Sequence, residues 1–143
     1  PWAVELQETF CARVCAGEIN CADTSWFLDT LATRGHARSI LTLGDETYQS
    51  MKVRGLGRPN GYFTNIHYTK RPEEKADVLL RACVAFPEEE IVMLDDSPRE
   101  LEAIARTAPR VRRIQIRRND QTYVSAHAHV IVSHLNAALE QLE

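Results

Sequence analysis

The chain has 143 residues, of which 44% are hydrophobic and 26% are charged, and its formal net charge is -3. These values are typical of one globular domain that is long enough to bury a core. The slightly acidic balance argues against a general nucleic-acid-binding protein, and the lack of a long apolar run argues against a membrane-spanning one. No secretory signal is visible, so we expect a cytoplasmic protein.

The cysteines and histidines show no spacing that is typical of a metal site. Cys11 and Cys15 would share one face of a helix, but neither a CxxC motif nor a paired Cys/His spacing occurs. The five histidines include no HExxH motif. His127 and His129 would share one face of a strand, and two ligands do not make a zinc site. We therefore expect free or buried thiols and no zinc.

Residues 1–35 predict two helices. Apolar residues recur with helical spacing up to Gly17, which ends the first helix. The second helix is predicted to begin at an N-cap within residues 23–25 and to end at Gly35. No strand precedes these helices, so they resemble either an accessory lid or the tail of a unit whose first strand is absent.

Strands and helices alternate after this point. A turn-rich loop is expected over residues 55–61. Alternation of this kind predicts a parallel sheet covered by helices on both faces, which is a three-layer α/β fold. The predicted strands cover residues 39–43, 62–69, 91–94, 111–116 and 130–132, and the predicted helices begin near residues 45, 72, 98 and 135.

Two adjacent carboxylates follow the most apolar of these strands. The strand at residues 91–94 is predicted to be buried on both faces, and Asp95 and Asp96 come at its carboxyl end, where α/β sheets bind ligands. Ser97 is the expected N-cap of the next helix, and Glu100 comes three residues after it. Two neighbouring carboxylates repel each other unless a metal cation or an ammonium group lies nearby. The sequence therefore predicts a divalent cation here, and oxygen ligands suit Mg²⁺.

Three more polar residues are predicted to lie at the same edge of the sheet. Thr42 is near the carboxyl end of the first strand, and Lys70 and Lys75 flank the start of the helix that precedes the acidic strand. A hydroxyl group and backbone amides can hold phosphate oxygens, and an ammonium group offsets the negative charge. Positioning and charge neutralisation are most of what phosphoryl transfer requires of a protein.

The segments 40–45 and 92–101, with a lysine before a helix between them, resemble motifs II, III and IV of the haloacid dehalogenase-like (HAD) hydrolase superfamily. The resemblance covers about residues 26 to 143. It implies a Rossmann-like core, Mg²⁺ as cofactor and phosphatase activity through an aspartyl-phosphate intermediate, with a phosphorylated small molecule as substrate. It also implies phosphoryl binding by Thr42, Leu43 and Gly44, a catalytic role for Thr42 and for Lys75 or Lys70, and Mg²⁺ binding by Asp95, Asp96 and Glu100. Lys75 is favoured because it shares a helix face with apolar residues.

One motif of the family is missing from this sequence. The nucleophile of the family comes from a DxDx(T/V) motif after the first core strand, and no DxD occurs in the chain. The motif would lie before Pro1, so we expect no covalent intermediate from this chain alone. Residues 1–25 are then interpreted as a helical cap-like or linker segment and residues 26–143 as an N-terminally incomplete HAD-like core. A missing strand would leave an unpaired sheet edge, which favours marginal stability or a homodimer.

Each of these residues also has a purely structural interpretation. Thr42 is a common strand residue, the two lysines can be solvated, and Glu100 can complete a capping box with Ser97. The arginines between residues 106 and 118 alternate with apolar residues, which we interpret as an edge strand protected by charge.

Two other functions compete with the hydrolase. A catalytically inactive HAD-like binding or scaffolding module would also lack the nucleophile. A phosphoacceptor signalling domain would place its acidic pair before the threonine and the lysine, whereas here the pair comes last.

Overall fold

The computed structural model describes residues 2–17, 20–57, 59–118 and 122–142. The chain forms two compact units: Tyr68 ends the first, and Thr69 begins the second. The domain boundary predicted between residues 25 and 26 stays a prediction, and Pro1 and Arg58 lie outside the described residues. Within the described ranges, no helix is both long enough and apolar enough to cross a membrane.

The order of elements is that of a mixed α/β protein with a parallel sheet, which confirms the predicted fold class and is consistent with a Rossmann-like core. The helices are α1 (Trp2–Cys15), α2 (Thr24–Thr33), α3 (Glu46–Arg54), α4 (Pro59–Tyr62), α5 (Pro72–Ala85), α6 (Pro98–Thr107) and α7 (Leu135–Leu139). The strands are β1 (Ser39–Leu43), β2 (Asn65–Thr69), β3 (Val92–Asp95), β4 (Arg112–Ile116) and β5 (Val130–Val132).

The predicted loop over residues 55–61 is wrong in part. Its second half forms the one-turn helix α4, which begins at Pro59, and proline suits the first turn of a helix because its fixed φ is already helical. Tyr62 belongs to this helix, so the strand predicted from residue 62 begins only at Asn65.

The first unit combines helices with the two-stranded sheet of β1 and β2. Helix α1 packs against α3, and the chain segments that follow them come very close together. A Cβ atom on Gly55 would lie only 2.5 Å from the carbonyl oxygen of Val14, so this contact requires a residue without a side chain.

The second unit contains a parallel sheet in the order β3-β4-β5, with Asp95 opposite Gln115 and Ile114 opposite Val130. The interpretation of residues 111–116 as an edge strand is therefore wrong, because β4 is paired on both sides. The Arg113 side chain is buried and donates hydrogen bonds to the carbonyl oxygens of Val111 and His127, over 2.7 and 2.8 Å. These bonds let an arginine occupy the central strand.

Strand β3, in contrast, is less buried than its apolar sequence predicts. Residues 91–94 are only partly buried, and Asp95 is the buried residue of this strand. The reason is that β3 lies at one edge of the described three-stranded sheet.

Helices α5 and α6 pack against each other in the second unit, and α6 also contacts β3 and β4. The buried face of α5 carries Ala76, Leu79 and Cys83, and that of α6 carries Leu101 and Ile104. Helix α5 follows β2 and α6 follows β3, and residues near the starts of the two helices, Lys75 and Glu100, meet at the Asp95 end of β3.

Candidate functional site

A buried ammonium group lies between two carboxylates at the end of β3. Lys75 Nζ is 2.7 Å from Asp95 Oδ2, and it also forms an ion pair with Glu100 Oε2. The exposed fractions of the Lys75, Asp95 and Glu100 side chains are 4%, 6% and 12%. We call these three residues the buried trio. One positive charge therefore faces two negative charges in a place from which water is largely excluded.

The loop between β3 and α6 holds the Asp95 carboxylate from its other side. The backbone N–H of Ser97 donates to Asp95 Oδ1 over 2.9 Å, so both carboxylate oxygens have a partner. The Ser97 hydroxyl accepts a long hydrogen bond of 3.4 Å from the Glu100 N–H, as expected of an N-cap.

The capping box that would explain Glu100 as a structural residue is only half formed. In a complete capping box, the Glu100 carboxylate would accept from the Ser97 N–H. Asp95 occupies that donor instead, and the Glu100 carboxylate faces Lys75. The Glu100 Oε2 atom accepts no other hydrogen bond from the described residues.

Burial and charge act in opposite directions on the pKa values of the trio. Burial lowers the pKa of Lys75, but the two carboxylates raise it by more, so the ammonium stays charged. Burial raises the pKa of Asp95, Lys75 opposes this rise, and the negative charge of Glu100 adds to it. The net shift of the Asp95 pKa is upward, mainly because burial disfavours the charged carboxylate, and the negative charge of Glu100 adds to the rise.

Two of the other residues predicted at this edge, Asp96 and Lys70, are exposed. Asp96 follows the buried trio directly and is exposed, with its carbonyl oxygen 3.5 Å from Gln115 Nε2. Lys70 is also exposed, and its backbone N–H donates to Glu74 Oε2 over 2.9 Å. Of the two candidate lysines, it is therefore Lys75 that contacts Asp95. The catalytic role of either lysine stays a prediction.

Thr42, Leu43 and Gly44 lie at the end of β1 in the first unit. The Thr42 hydroxyl donates to Gln49 Oε1 over 2.9 Å, and Gln49 Nε2 donates to the Leu43 carbonyl oxygen over 3.1 Å. Gly44 has a φ of 134°, which favours glycine, and it is followed by the N-cap residue Asp45. Their predicted role in phosphoryl binding stays a prediction.

The donor chemistry of the acidic edge suits a hard cation such as Mg²⁺. All three predicted ligands are carboxylates, the buried trio carries one negative charge in excess, and Asp96 adds a second one at the surface. Among the residues that the structure describes, no group of three or more His, Cys, Asp or Glu side chains is arranged to hold a metal ion.

Two glutamines that sequence reasoning missed bind backbone groups beside the predicted residues. Gln49 connects Thr42 to Leu43, and Gln115, which is fully buried in β4, connects the region of Asp96 to residues 122–125. The signal for Gln115 in the sequence is a single amide between two isoleucines in a strand that begins with two arginines.

Comparison with known proteins supports the fold. No protein-family model and no curated protein matches the sequence. The structure is similar to the crystal structure of a dehalogenase with an intermediate complex, with a TM-score of 0.65 and 12% sequence identity. The similarity covers 85% of this chain and 55% of that chain, so this chain spans about half the length of the dehalogenase. The comparison shows that this chain shares the α/β fold of that dehalogenase, whereas membership of the HAD superfamily, phosphatase activity and Mg²⁺ dependence stay predictions.

Proposed function

We propose that this chain provides the cation-binding part of a HAD-like hydrolase of the phosphatase type, which acts on a phosphorylated small molecule with Mg²⁺ as cofactor. The observation that supports the proposal is the buried trio. A lysine ammonium is held by two carboxylates at the carboxyl end of a parallel strand, which is where α/β folds bind ligands.

In this proposal, Asp95, Asp96 and Glu100 are the residues that would hold Mg²⁺. The ion would neutralise the charge of the phosphoryl group when it is bound. Lys75 holds the two carboxylates in place, because its ammonium contacts both Asp95 and Glu100. The Ser97 N–H fixes the orientation of Asp95.

The part assigned to the first unit comes from the family resemblance. Thr42, Leu43 and Gly44 would bind phosphoryl oxygens through a hydroxyl group and backbone amides. Since the sequence contains no DxD motif, the nucleophile is not assigned to any residue of this chain.

A Mg²⁺ titration followed by thermal unfolding tests the proposal. At ten times its Kd, a ligand that binds only the folded state adds about 1.4 kcal/mol, which raises Tm by several degrees for a unit of this size. We expect this rise in the wild-type chain and its loss in Asp96→Asn. Asp77→Asn is the matched control, because Asp77 is an exposed aspartate on α5, away from the predicted ligands. A wild-type chain without a Mg²⁺-dependent shift contradicts the proposal.

A second candidate function is a catalytically inactive HAD-like binding or scaffolding module, which the lack of a DxD motif favours. The coding sequence upstream of Pro1 separates the two candidates. An apolar strand that ends in DxDx(T/V) supports the hydrolase, and its absence supports the binding module.

A further inference from the structure

The side chain of Gln115 joins two backbone segments at the carboxyl end of the sheet. Gln115 lies opposite Asp95 in the register of β3 and β4 and has no exposed surface. Its Nε2 donates to the Tyr123 carbonyl oxygen over 3.0 Å and lies 3.5 Å from the Asp96 carbonyl oxygen. Its Oε1 accepts from the Ser125 N–H over 2.8 Å. Hydrogen bonds in a buried place are costly to break, so residues 122–125 are fixed beside Asp96.

Residues 122–125, which we call the edge segment, are held by their backbone and not by their apolar side chains. Ser125 is buried, and its hydroxyl accepts from the His127 N–H over 3.1 Å. Tyr123 and Val124, in contrast, are 78% and 53% exposed. Most chain segments are held in place because their apolar side chains are buried. The edge segment differs, because its two largest apolar side chains are exposed to water.

We infer that the edge segment contacts the organic part of the phosphorylated substrate, with Gln115 as its positioning residue. The inference rests on the proposed function, since it takes the acidic edge as the place where the cation and the phosphate bind. When the phosphate of an ester binds at the acidic edge, its alcohol part contacts the protein surface beside that edge. The edge segment is part of this surface, because it borders Asp96. The Tyr123 ring offers a face for stacking and Val124 an aliphatic contact, so the chemical class is a phosphate ester of an aromatic alcohol.

Binding of two probes to the chain in saturating Mg²⁺ tests this inference by calorimetry. Inorganic phosphate reports the cation and phosphate site alone, and phenyl phosphate adds an aromatic group. We expect phenyl phosphate to bind about three to ten times more tightly, which is the usual contribution of an aromatic pair. In Tyr123→Ser this preference disappears while the affinity for inorganic phosphate is unchanged, and the exposed position of the ring makes the substitution harmless to the core.

Two further variants complete the experiment. Val84→Ser removes an apolar side chain that is 74% exposed on α5, outside the edge segment, and it should keep the preference. Gln115→Leu has a similar volume but cannot hold the edge segment, so it should lose the preference for phenyl phosphate. If Gln115→Leu fails to fold, Tyr123→Ser alone decides the question.

The outcomes separate this inference from the proposed function. If the wild-type chain binds both probes equally, or if Tyr123→Ser keeps the preference, the inference is wrong and the proposed function stands. If neither probe binds in the presence of Mg²⁺, both are overturned.

Discussion

Replacing Lys75 by methionine should destabilise the second unit strongly. Methionine keeps most of the aliphatic volume and removes the ammonium, which leaves the Asp95 and Glu100 carboxylates facing each other with exposed fractions of 6% and 12%. Removing one partner of a buried ion pair costs roughly 3–5 kcal/mol. A Coulomb estimate agrees, since unit charges about 4 Å apart interact by about 4 kcal/mol at an effective dielectric constant near 20.

Urea unfolding at pH 7, followed by circular dichroism, measures this loss, and hydrogen exchange of the β4 amides assigns it to the second unit. Lys70→Met is the matched control, because Lys70 is an exposed lysine close to the same helix. We expect its free energy of unfolding to change by no more than about 0.5 kcal/mol.

The double variant Lys75→Met with Asp95→Asn gives a second check. Because it removes one of the two repelling carboxylates, it should be more stable than Lys75→Met alone. A loss below about 1 kcal/mol in Lys75→Met would be typical of an exposed ion pair and would refute the reasoning about the buried trio.

Two other predictions concern single groups of the second unit. Partial desolvation and the charges of Arg113 and Arg112 lower the pKa of His129, whose Nδ1 accepts from the Arg113 N–H over 3.0 Å. The neutral form is thus favoured in the folded state, so stability is full above the ordinary pKa and falls as the pH falls towards the lowered one. An NMR titration of His129 should give a pKa below the ordinary value of about 6.5, and a higher one contradicts the prediction. Ser97→Ala should cost about 0.5–1 kcal/mol by thermal unfolding, since the cap bond is long, whereas Ser97→Asp should keep most of the stability.

The turn from β3 into α6 could be predicted from sequence because its signals are local. An apolar run, two acids, a serine N-cap and a proline at the first helical position lie within one short segment, and α6 begins at Pro98 as expected. The same holds for α5, whose first residue is Pro72. Local signals did not predict the features that depend on contacts between residues distant in sequence.

The central position of β4 is such a case. Arginines in a strand favour the interpretation that they protect an exposed sheet edge. The position of β4 in the sheet is set instead by its pairing with β3 and β5. The buried arginine, Arg113, donates to the carbonyl oxygen of Val111, which is close in sequence, and to that of His127, which is distant in sequence. Gln115 was missed for the same reason, because its partners lie in two other segments.

Glu100 shows how a local rule is overridden by a charge from another element. The spacing from Ser97 favours a capping box, which requires the Glu100 carboxylate to turn back towards Ser97. The ammonium of Lys75, placed there by the packing of α5 against α6, attracts the carboxylate more strongly than a neutral N–H does. Asp95 then accepts from the Ser97 N–H through one oxygen, while its other oxygen and the Glu100 carboxylate share the Lys75 ammonium.

The charge balance of the trio is the reason to regard it as more than a structural ion pair. One lysine and one aspartate would satisfy each other, and a second buried carboxylate adds a desolvation cost that the single ammonium does not offset. Either a proton or a cation can compensate the excess negative charge. Protonation of Asp95, whose pKa is raised mainly by burial and further by the charge of Glu100, is the first solution, and the proposed Mg²⁺ site is the second. The two solutions compete for the oxygen atoms of Asp95, so metal binding by this carboxylate and its protonation exclude each other.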